Sequence, residues 1–531
     1  MRVLFVHPSP LMYSEIYLRL EPLGVERAAA AAAAAGHQVR LIDLQIFKQS
    51  DLIRELEDFR PQAVGLSLNY LANVPEVINL AKSIKAARRD CYVFVGGHSG
   101  SFIADELIEH GAGAIDCVLR GEGEAVIGLL LEALGDPKLA AVPGIVTASG
   151  RGPAPMMLDD LDRFFPARYL GRRRHKYFIG VLDPCASVEF TRGCPWDCSF
   201  CSAWTFYGRS YRKSTPEAAA EDLASIKERN VFIVDDVAFI HPEHGFAIGR
   251  ELEKRKIKKN YYLETRADVL CRNKEVFAYW RRLGLEYMFL GLEAIDEEGL
   301  KAHRKRSSTG VNTKALEIAR EIGVCVAINL IAEPDWDERR FAIVREWALT
   351  VPEVVHLTVA TPYPGTETWF TESRRLTTLD YRLFDIQHAV LPTRLPLQRF
   401  YEELVNTQNV LNRKHLGLQG LKDASAIAVK LLMRGQTNFL KMLFKFSQVY
   451  NVSRQYQDHL REVQYAMRPP RPYSTSRPEA SELYIHPPKV NRANGPASAP
   501  DAANSSQAEM APEGTTLSST VNAAEPAGGN A

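Results

Sequence analysis

The stretch Thr191-Arg-Gly-Cys-Pro-Trp-Asp-Cys-Ser-Phe-Cys201 sets three cysteines in the spacing C-x3-C-x2-C. These are Cys194, Cys198 and Cys201; every other cysteine of the chain stands singly. Thiolate sulfur is a soft ligand that suits iron–sulfur clusters and zinc. Three close thiolates can hold three corners of a [4Fe–4S] cube and leave the fourth iron open to a small molecule. A structural zinc would need a fourth protein ligand, and the nearest candidate, Cys185, lacks paired C-x2-C spacing. An odd cluster in a chain with cytosolic features fits metal or catalysis better than disulfides.

Such a loop needs a frame. Residues 184–395 alternate strand and helix patterns, with six strands that predict a partial (β/α)6 barrel. Polar residues at the carboxyl ends of barrel strands are the ones placed for function. Here they are Asp235, Asp236, Glu264, Arg266, Glu293 and Asn329. Residues 1–135 alternate likewise, with apolar strands at Val3–Val6, Val39–Leu44, Ala63–Leu68, Tyr92–Val95 and Cys117–Leu119, and a helix expected from near Glu15 to Ala35. The expected fold there is α/β, a doubly wound, Rossmann-like parallel sheet of five strands. Ligands of such sheets lie outside the carboxyl ends of the strands. That edge gathers Ser67, Tyr70, Gly96, Gly97, His98, Gly121 and Glu122.

The rest of the chain is read more coarsely. Residues 136–183 are a proline-punctuated connector carrying the short basic run Arg172-Arg-Arg-His-Lys176. Short runs of this kind usually form a solvated face or meet a local phosphate. Residues 396–468 are expected to be helical. The stretch from Ala424 to Tyr450 interleaves apolar residues with Lys430, Arg434, Lys441 and Lys445, which fits either a helix pair packed on the barrel or a basic surface lying on a membrane. Residues 469–531, rich in Pro, Ala, Ser and Asn, are expected to be a disordered tail. The 531 residues carry a net charge of +1, which exerts no overall pull toward nucleic acid. No apolar run is long enough to span a bilayer and no signal peptide opens the chain, so the expected location is the cytoplasm, with peripheral contact at the inner face of a membrane.

C-x3-C-x2-C with an aromatic residue before its last cysteine, here Phe200, resembles the signature of the radical S-adenosylmethionine (SAM) enzymes. The resemblance implies a [4Fe–4S] cluster whose open iron takes SAM, with Glu264, Arg266 and Glu293 as candidates for the SAM ribose and carboxylate. A five-stranded module directly before that motif looks like the cobalamin-binding domain of the class B radical SAM methyltransferases. Ser67, Tyr70, Gly96-Gly97 and the Gly121-Glu-Gly-Glu124 turn resemble the loops that cradle the corrin and its nucleotide tail. The loop His7-Pro-Ser-Pro-Leu-Met12 departs from the wider D-x-H-x-x-G cobalamin pattern. Ile331-Ala-Glu-Pro-Asp335 stands where the family has a glycine-rich segment.

The opening His7 to Gly24, taken with the cluster loop, is similar to the hopanoid C-3 methyltransferases. That similarity implies methylation of an unactivated ring-A carbon of a hopanoid lipid, with methylcobalamin as donor and a ferredoxin or flavodoxin supplying electrons. Trp204, Phe206 and Tyr207 after the cluster suit an apolar substrate or ordinary packing equally. Two rival readings are a cobalamin-dependent radical SAM enzyme for another apolar substrate, and a non-catalytic corrinoid or iron–sulfur sensor.

Overall fold

The computed structural model describes residues 1–11, 14–414, 418–469 and 480–488. Its first sheet runs β1 (Arg2–His7), β2 (Gln38–Asp43), β3 (Ala63–Ser67), β4 (Tyr92–Gly96) and β5 (Cys117–Leu119), followed by β6 (Ile145–Thr147) and β7 (Gly150–Arg151). Their spatial order is β2-β1-β3-β4-β5-β6-β7. The first five strands are parallel, and β6 and β7 join antiparallel at the edge. The chain runs outward in both directions from β1 and β3, which creates a switch point with a crevice at the strands' carboxyl ends. Every residue of β3 is buried, as a central strand covered on both faces requires. Two separate apolar cores, one on each face, hold the helices against the sheet.

Two expectations change here. The helix foreseen from Glu15 to Ala35 is broken into Ser14–Tyr17 and Leu23–Ala34. Pro22 cannot donate a helical hydrogen bond, and Leu18–Arg19 instead pairs antiparallel with Phe178–Ile179. The connector is not all loop either, because β6 and β7 extend the first sheet. Their few residues lie between glycines and prolines, too short to show a period.

The second sheet comprises β8 (Cys185–Val188), β9 (Asn230–Ile233), β10 (Asn260–Arg266), β11 (Leu285–Glu293), β12 (Cys325–Ala332) and β13 (Val354–Val359), paired in chain order and parallel throughout. It is the six-stranded partial barrel. Residues on its helix-covered side, such as Leu263, Leu290, Ile328 and Leu357, form one apolar core. Alternate residues, among them Glu264, Phe289, Asn329 and Thr358, are only half-buried, as side chains facing an open barrel interior should be.

The helix Leu397–Arg413 packs against Glu338–Thr350 through the Arg345–Glu403 ion pair, at 2.7 Å. Further on, Tyr465 reaches the cobalamin-side helix Val74–Ala87, where its hydroxyl meets Asn79 at 2.9 Å and Lys82 at 3.0 Å. No described helix is long and apolar enough to cross a membrane. The expected disorder of 469–531 fails for the described part, 480–488. Leu483, Ile485 and His486 are buried there, because Leu483-Tyr484-Ile485 is an apolar island in an otherwise polar tail. The remainder of that expectation falls outside the described residues.

Candidate active site

The cluster loop is fixed at its entry by the two aspartates that follow β9. Asp235 accepts hydrogen bonds from the Phe190 and Thr191 N–H groups, at 2.8 and 3.1 Å, and from the Thr191 hydroxyl at 2.6 Å. Asp236 accepts one from the Gly193 N–H at 2.8 Å. Burial raises both carboxyls against these bonds, Asp235 to about 7 and Asp236 to about 6. Gly193 has φ +98°, and a Cβ there would collide with the Ser210 carbonyl, so the loop can turn only on glycine.

Further along, the segment 303–306 closes over the loop. The His303 carbonyl accepts the Ser199 N–H at 3.2 Å, and Arg306 pairs with Asp197 at 2.8 Å. The Trp204 indole donates to the Cys198 carbonyl at 3.0 Å. Arg266 stacks on the Trp196 ring at 4.4 Å from its centre. Its donors go to Asp268 at 2.8 Å, the Lys305 carbonyl at 2.6 Å and the Cys198 sulfur at 3.5 Å. The guanidinium foreseen as a carboxylate fork is thus committed to the cluster loop itself.

The donor set fits an iron–sulfur cluster. Cys201 accepts the Ala203 N–H at 3.4 Å and Cys198 accepts Arg266, so the sulfurs are met by donors that favour thiolate. Burial and the neighbouring Cys198 push the Cys201 thiol up to about 12, and burial with Cys201 raises Cys194. Metal binding would displace those protons. Among the described residues no three Cys, His, Asp or Glu side chains converge on a point as a single ion requires. A cube takes one thiolate at each of three corners, so its sulfurs stand farther apart than those around one ion.

Beside the loop lies a cavity of about 580 Å³ at the barrel mouth. Phe200, Glu293, Asn329, His303, Glu333 and Tyr363 are among its lining residues. Glu293 sits at φ +67° in a bulge of β11 and pairs with Lys305 at 2.8 Å. Asn329 donates to the Thr358 hydroxyl at 3.0 Å. The Glu264 carboxylate, on the neighbouring strand, has no hydrogen-bond partner among the described residues, although its backbone carbonyl accepts the Ala238 N–H at 2.9 Å. Burial raises its carboxyl to about 7, aided by Asp236 and Glu293. Sequence reasoning missed His303 and Glu333, whose side chains approach within 3.2 Å. Both lie in loops, where no period marks them. Burial, then Asp335, lifts Glu333 to about 7.

A second cavity of about 280 Å³ opens at the carboxyl edge of the first sheet. Ser67, Gly96, Gly97, His98, Gly121 and Glu122 all line it, over an apolar floor that includes Phe5, Phe94 and Ile127. A glycine rim over an apolar pocket fits the flat, ring-bearing tail of a corrinoid. Tyr70 is not among the lining residues. Burial and the Glu264 carboxylate raise its phenol, which places it on the barrel-facing side of the same edge. His98 stacks on Phe206 at 4.6 Å and meets the Ser202 hydroxyl at 2.8 Å; burial lowers it to about 4.

Glu122, besides lining this cavity, is held by the chain itself. It accepts the Leu158 N–H at 2.6 Å and pairs with Arg212 from the barrel side. Beside it, Arg192 bridges Glu124 at 2.7 Å and Glu189 at 2.8 Å, and Arg27 reaches Glu189 at 3.4 Å. Burial works against the Glu189 charge, but Arg192 and Arg27 hold its carboxyl down at about 2. This buried ion-pair lattice joins the two sheets across the cavity wall, and its members look like ordinary surface charges in sequence.

The B12 binding domain family matches residues 11–131, and the radical SAM superfamily matches residues 188–348. A curated relative, the hopanoid C-3 methylase of Methylococcus capsulatus, is 58% identical over 487 residues, which are 92% of this chain and 95% of the relative. The chain belongs to the hopanoid C-3 methylase family. It is a cobalamin-binding radical SAM methyltransferase. The hopanoid C-3 methylase fold also resembles a solved radical SAM methyltransferase, TsrM of Kitasatospora setae, determined with cobalamin and a [4Fe–4S] cluster bound. That pair aligns at TM-score 0.57 and 16% identity, over 71% of this chain and 79% of the other. More distant in sequence is the anaerobic magnesium-protoporphyrin IX monomethyl ester cyclase of Rubrivivax gelatinosus, 26% identical over 74% of this chain and 73% of its own.

Proposed function

We propose that the chain methylates C-3 in ring A of a hopanoid, with the lipid seated in the barrel-mouth cavity. The observation that carries this reading is the makeup of that cavity. Phe289, Ile331, Ile386, Leu391 and Pro392 give it apolar walls suited to a fused-ring lipid, while Glu293, Asn329 and the His303–Glu333 pair cluster on polar positions beside Phe200 of the cluster loop. The family relationship supports the same substrate.

When bound, the cluster supplies an electron that splits SAM into methionine and a 5′-deoxyadenosyl radical, and cobalamin supplies the methyl group. The chain's own residues bind, orient and screen. Cys194, Cys198 and Cys201 hold the cluster, and Arg266 balances its charge through Cys198. The Glu264 carboxylate, with no hydrogen-bond partner among the described residues, and Glu293, which keeps one oxygen free of Lys305, accept hydrogen bonds from SAM hydroxyl or amino groups. Tyr70 lies near enough to Glu264 to feel its charge and would stand between the cobalamin cavity and the barrel mouth. The apolar walls exclude water from a radical that would otherwise be quenched by adventitious hydrogen donors. A small reduced carrier of the ferredoxin or flavodoxin type delivers the electron.

Lipid access has a candidate route. Val429, Leu432 and Met433 are exposed at the end of the helix Leu418–Leu432, Met433 by 84%, beside exposed Lys430 and Arg434. Residues 424–457 hold three lysines, two arginines and no acid. An apolar tip within an all-basic stretch suits an anionic membrane surface.

Expression in a host that makes hopanoids, with mass spectrometry of its lipids, tests the proposal. The expected result is a hopanoid heavier by one methylene, methylated in ring A, present only with the intact chain. An unchanged hopanoid profile from a chain that still cleaves SAM would overturn the substrate.

A further inference from the structure

Residues 483–486 run across the back of the segment that follows the cluster loop. The Ile485 N–H donates to the Thr205 carbonyl at 3.0 Å. The Tyr484 ring stands edge-on to Trp204 at 5.5 Å, and the His486 ring edge-on to Phe206 at 5.9 Å. Phe206 is also stacked on His98, at 4.6 Å. Phe206 and His98 both line the cavity of the first sheet, so the strap backs one wall of that cavity.

Two glycines make room for it. Gly208 has φ +62°, and a Cβ there would strike the His486 carbonyl. Gly121 has φ +84°, and a Cβ there would come within 2.9 Å of His486 Nε2. Gly121 is itself a lining residue of the cavity. His486 is 4% exposed, and its Nε2 has no partner among the described residues. Burial favours the neutral ring, and with its one proton on Nδ1 the Nε2 is a bare acceptor. A buried acceptor without a donor is costly unless a ligand completes it.

We propose that residues 483–486 are part of the cobalamin site: the strap clamps Phe206 against His98, and His486 Nε2 accepts a hydrogen bond from a side-chain amide of the bound corrinoid. The proposal rests on the reading of the first-sheet cavity as the seat of cobalamin. It gives the apolar island of an otherwise polar tail a job, since only that island need dock.

Hydroxocobalamin titration of the full-length chain, followed by visible absorption, tests it. Ile485→Asp should undock the strap and weaken binding at least tenfold, while reconstituted iron per chain stays at the native level. His486→Phe keeps a ring against Phe206 but lacks the acceptor, and should weaken binding several-fold with an unchanged melting temperature. A chain ending after Lys489 keeps the strap and should bind like the full chain. Native affinity in both point variants would overturn the strap's role. Native affinity in His486→Phe alone would overturn the hydrogen bond. Failure of the unaltered chain to bind hydroxocobalamin would instead overturn the cavity's assignment.

Discussion

The two aspartates after β9 and the glutamates of the barrel mouth carry the same functional group, yet they do opposite things. Asp235 and Asp236 are bound to backbone N–H groups of the cluster loop. Among the described residues the Glu264 carboxylate has no hydrogen-bond partner, and the Glu333 carboxylate meets only His303. All four carboxyls are pushed up by burial. Pushed-up carboxyls therefore do not by themselves mark a ligand site. What separates scaffold from site is whether the oxygens are already satisfied by the fold.

The comparison can be broken in several ways. The largest effect should come from the residue both groups serve. Cys198→Ala removes one corner of the cluster, so SAM cleavage to 5′-deoxyadenosine under anaerobic reducing conditions should disappear, with iron per chain falling steeply; retained lipid methylation would sink the cluster assignment.

Next is Asp235→Ala, which strands three donors, two of them buried backbone groups. At about 1 kcal/mol or more for each, the loss should approach 3 kcal/mol in urea unfolding. Iron incorporation should fall with it, because all three bonds hold the entry to the cluster loop. A stable variant with normal iron would show that Asp235 belongs with the unengaged group.

Glu264→Gln should do the reverse, weakening SAM binding about tenfold, the scale of one charge-assisted hydrogen bond, without loss of stability. Its pH signature is the sharper test. The Glu264 carboxyl rises from 4.5 to about 7 on folding, so the folded chain holds that proton more tightly than the unfolded chain. The resulting stabilisation is complete below pH 4.5 and is lost as pH rises through about 7. The glutamine stays neutral throughout. Urea midpoints of the two proteins should coincide below pH 4.5, draw apart as pH rises to about 7 and stay apart above it, with the variant higher; parallel curves would rule out the raised carboxyl.

The first sheet was legible in the sequence because parallel strands buried on both faces read as short apolar runs, as in β1, β3 and β4; the barrel strands, half-buried on alternate residues, were legible from their alternation with helix patterns. The cluster cysteines were legible because their spacing is local. The engagement of each strand-end residue was not. Arg266 reads as a ligand fork, and three of its five donors go to Asp268, Lys305 and Cys198. Glu122 reads as part of a cofactor turn; it lines the first-sheet cavity and also pairs with Arg212 from the barrel side. Those partners are distant in the chain, and nothing in composition or period announces them. The apolar island Leu483-Tyr484-Ile485 was hidden for the opposite reason, being too short to outweigh the polar residues around it.

The ion-pair lattice of Arg27, Glu122, Glu124, Glu189, Arg192 and Arg212 bears on how such an enzyme can be taken apart. Cutting between the sheets would leave Arg27, Glu122 and Glu124 on one fragment and Glu189, Arg192 and Arg212 on the other, and the pairs that cross the cut, Arg27–Glu189, Arg192–Glu124 and Arg212–Glu122, would lose the counter-charge that made their burial tolerable. The methyl-carrying half and the radical-generating half therefore do not behave as interchangeable cassettes. A chimera that joins one half to a foreign partner must import the matching charges as well, or begin life with a seam of uncompensated ions at the wall of its own cofactor pocket.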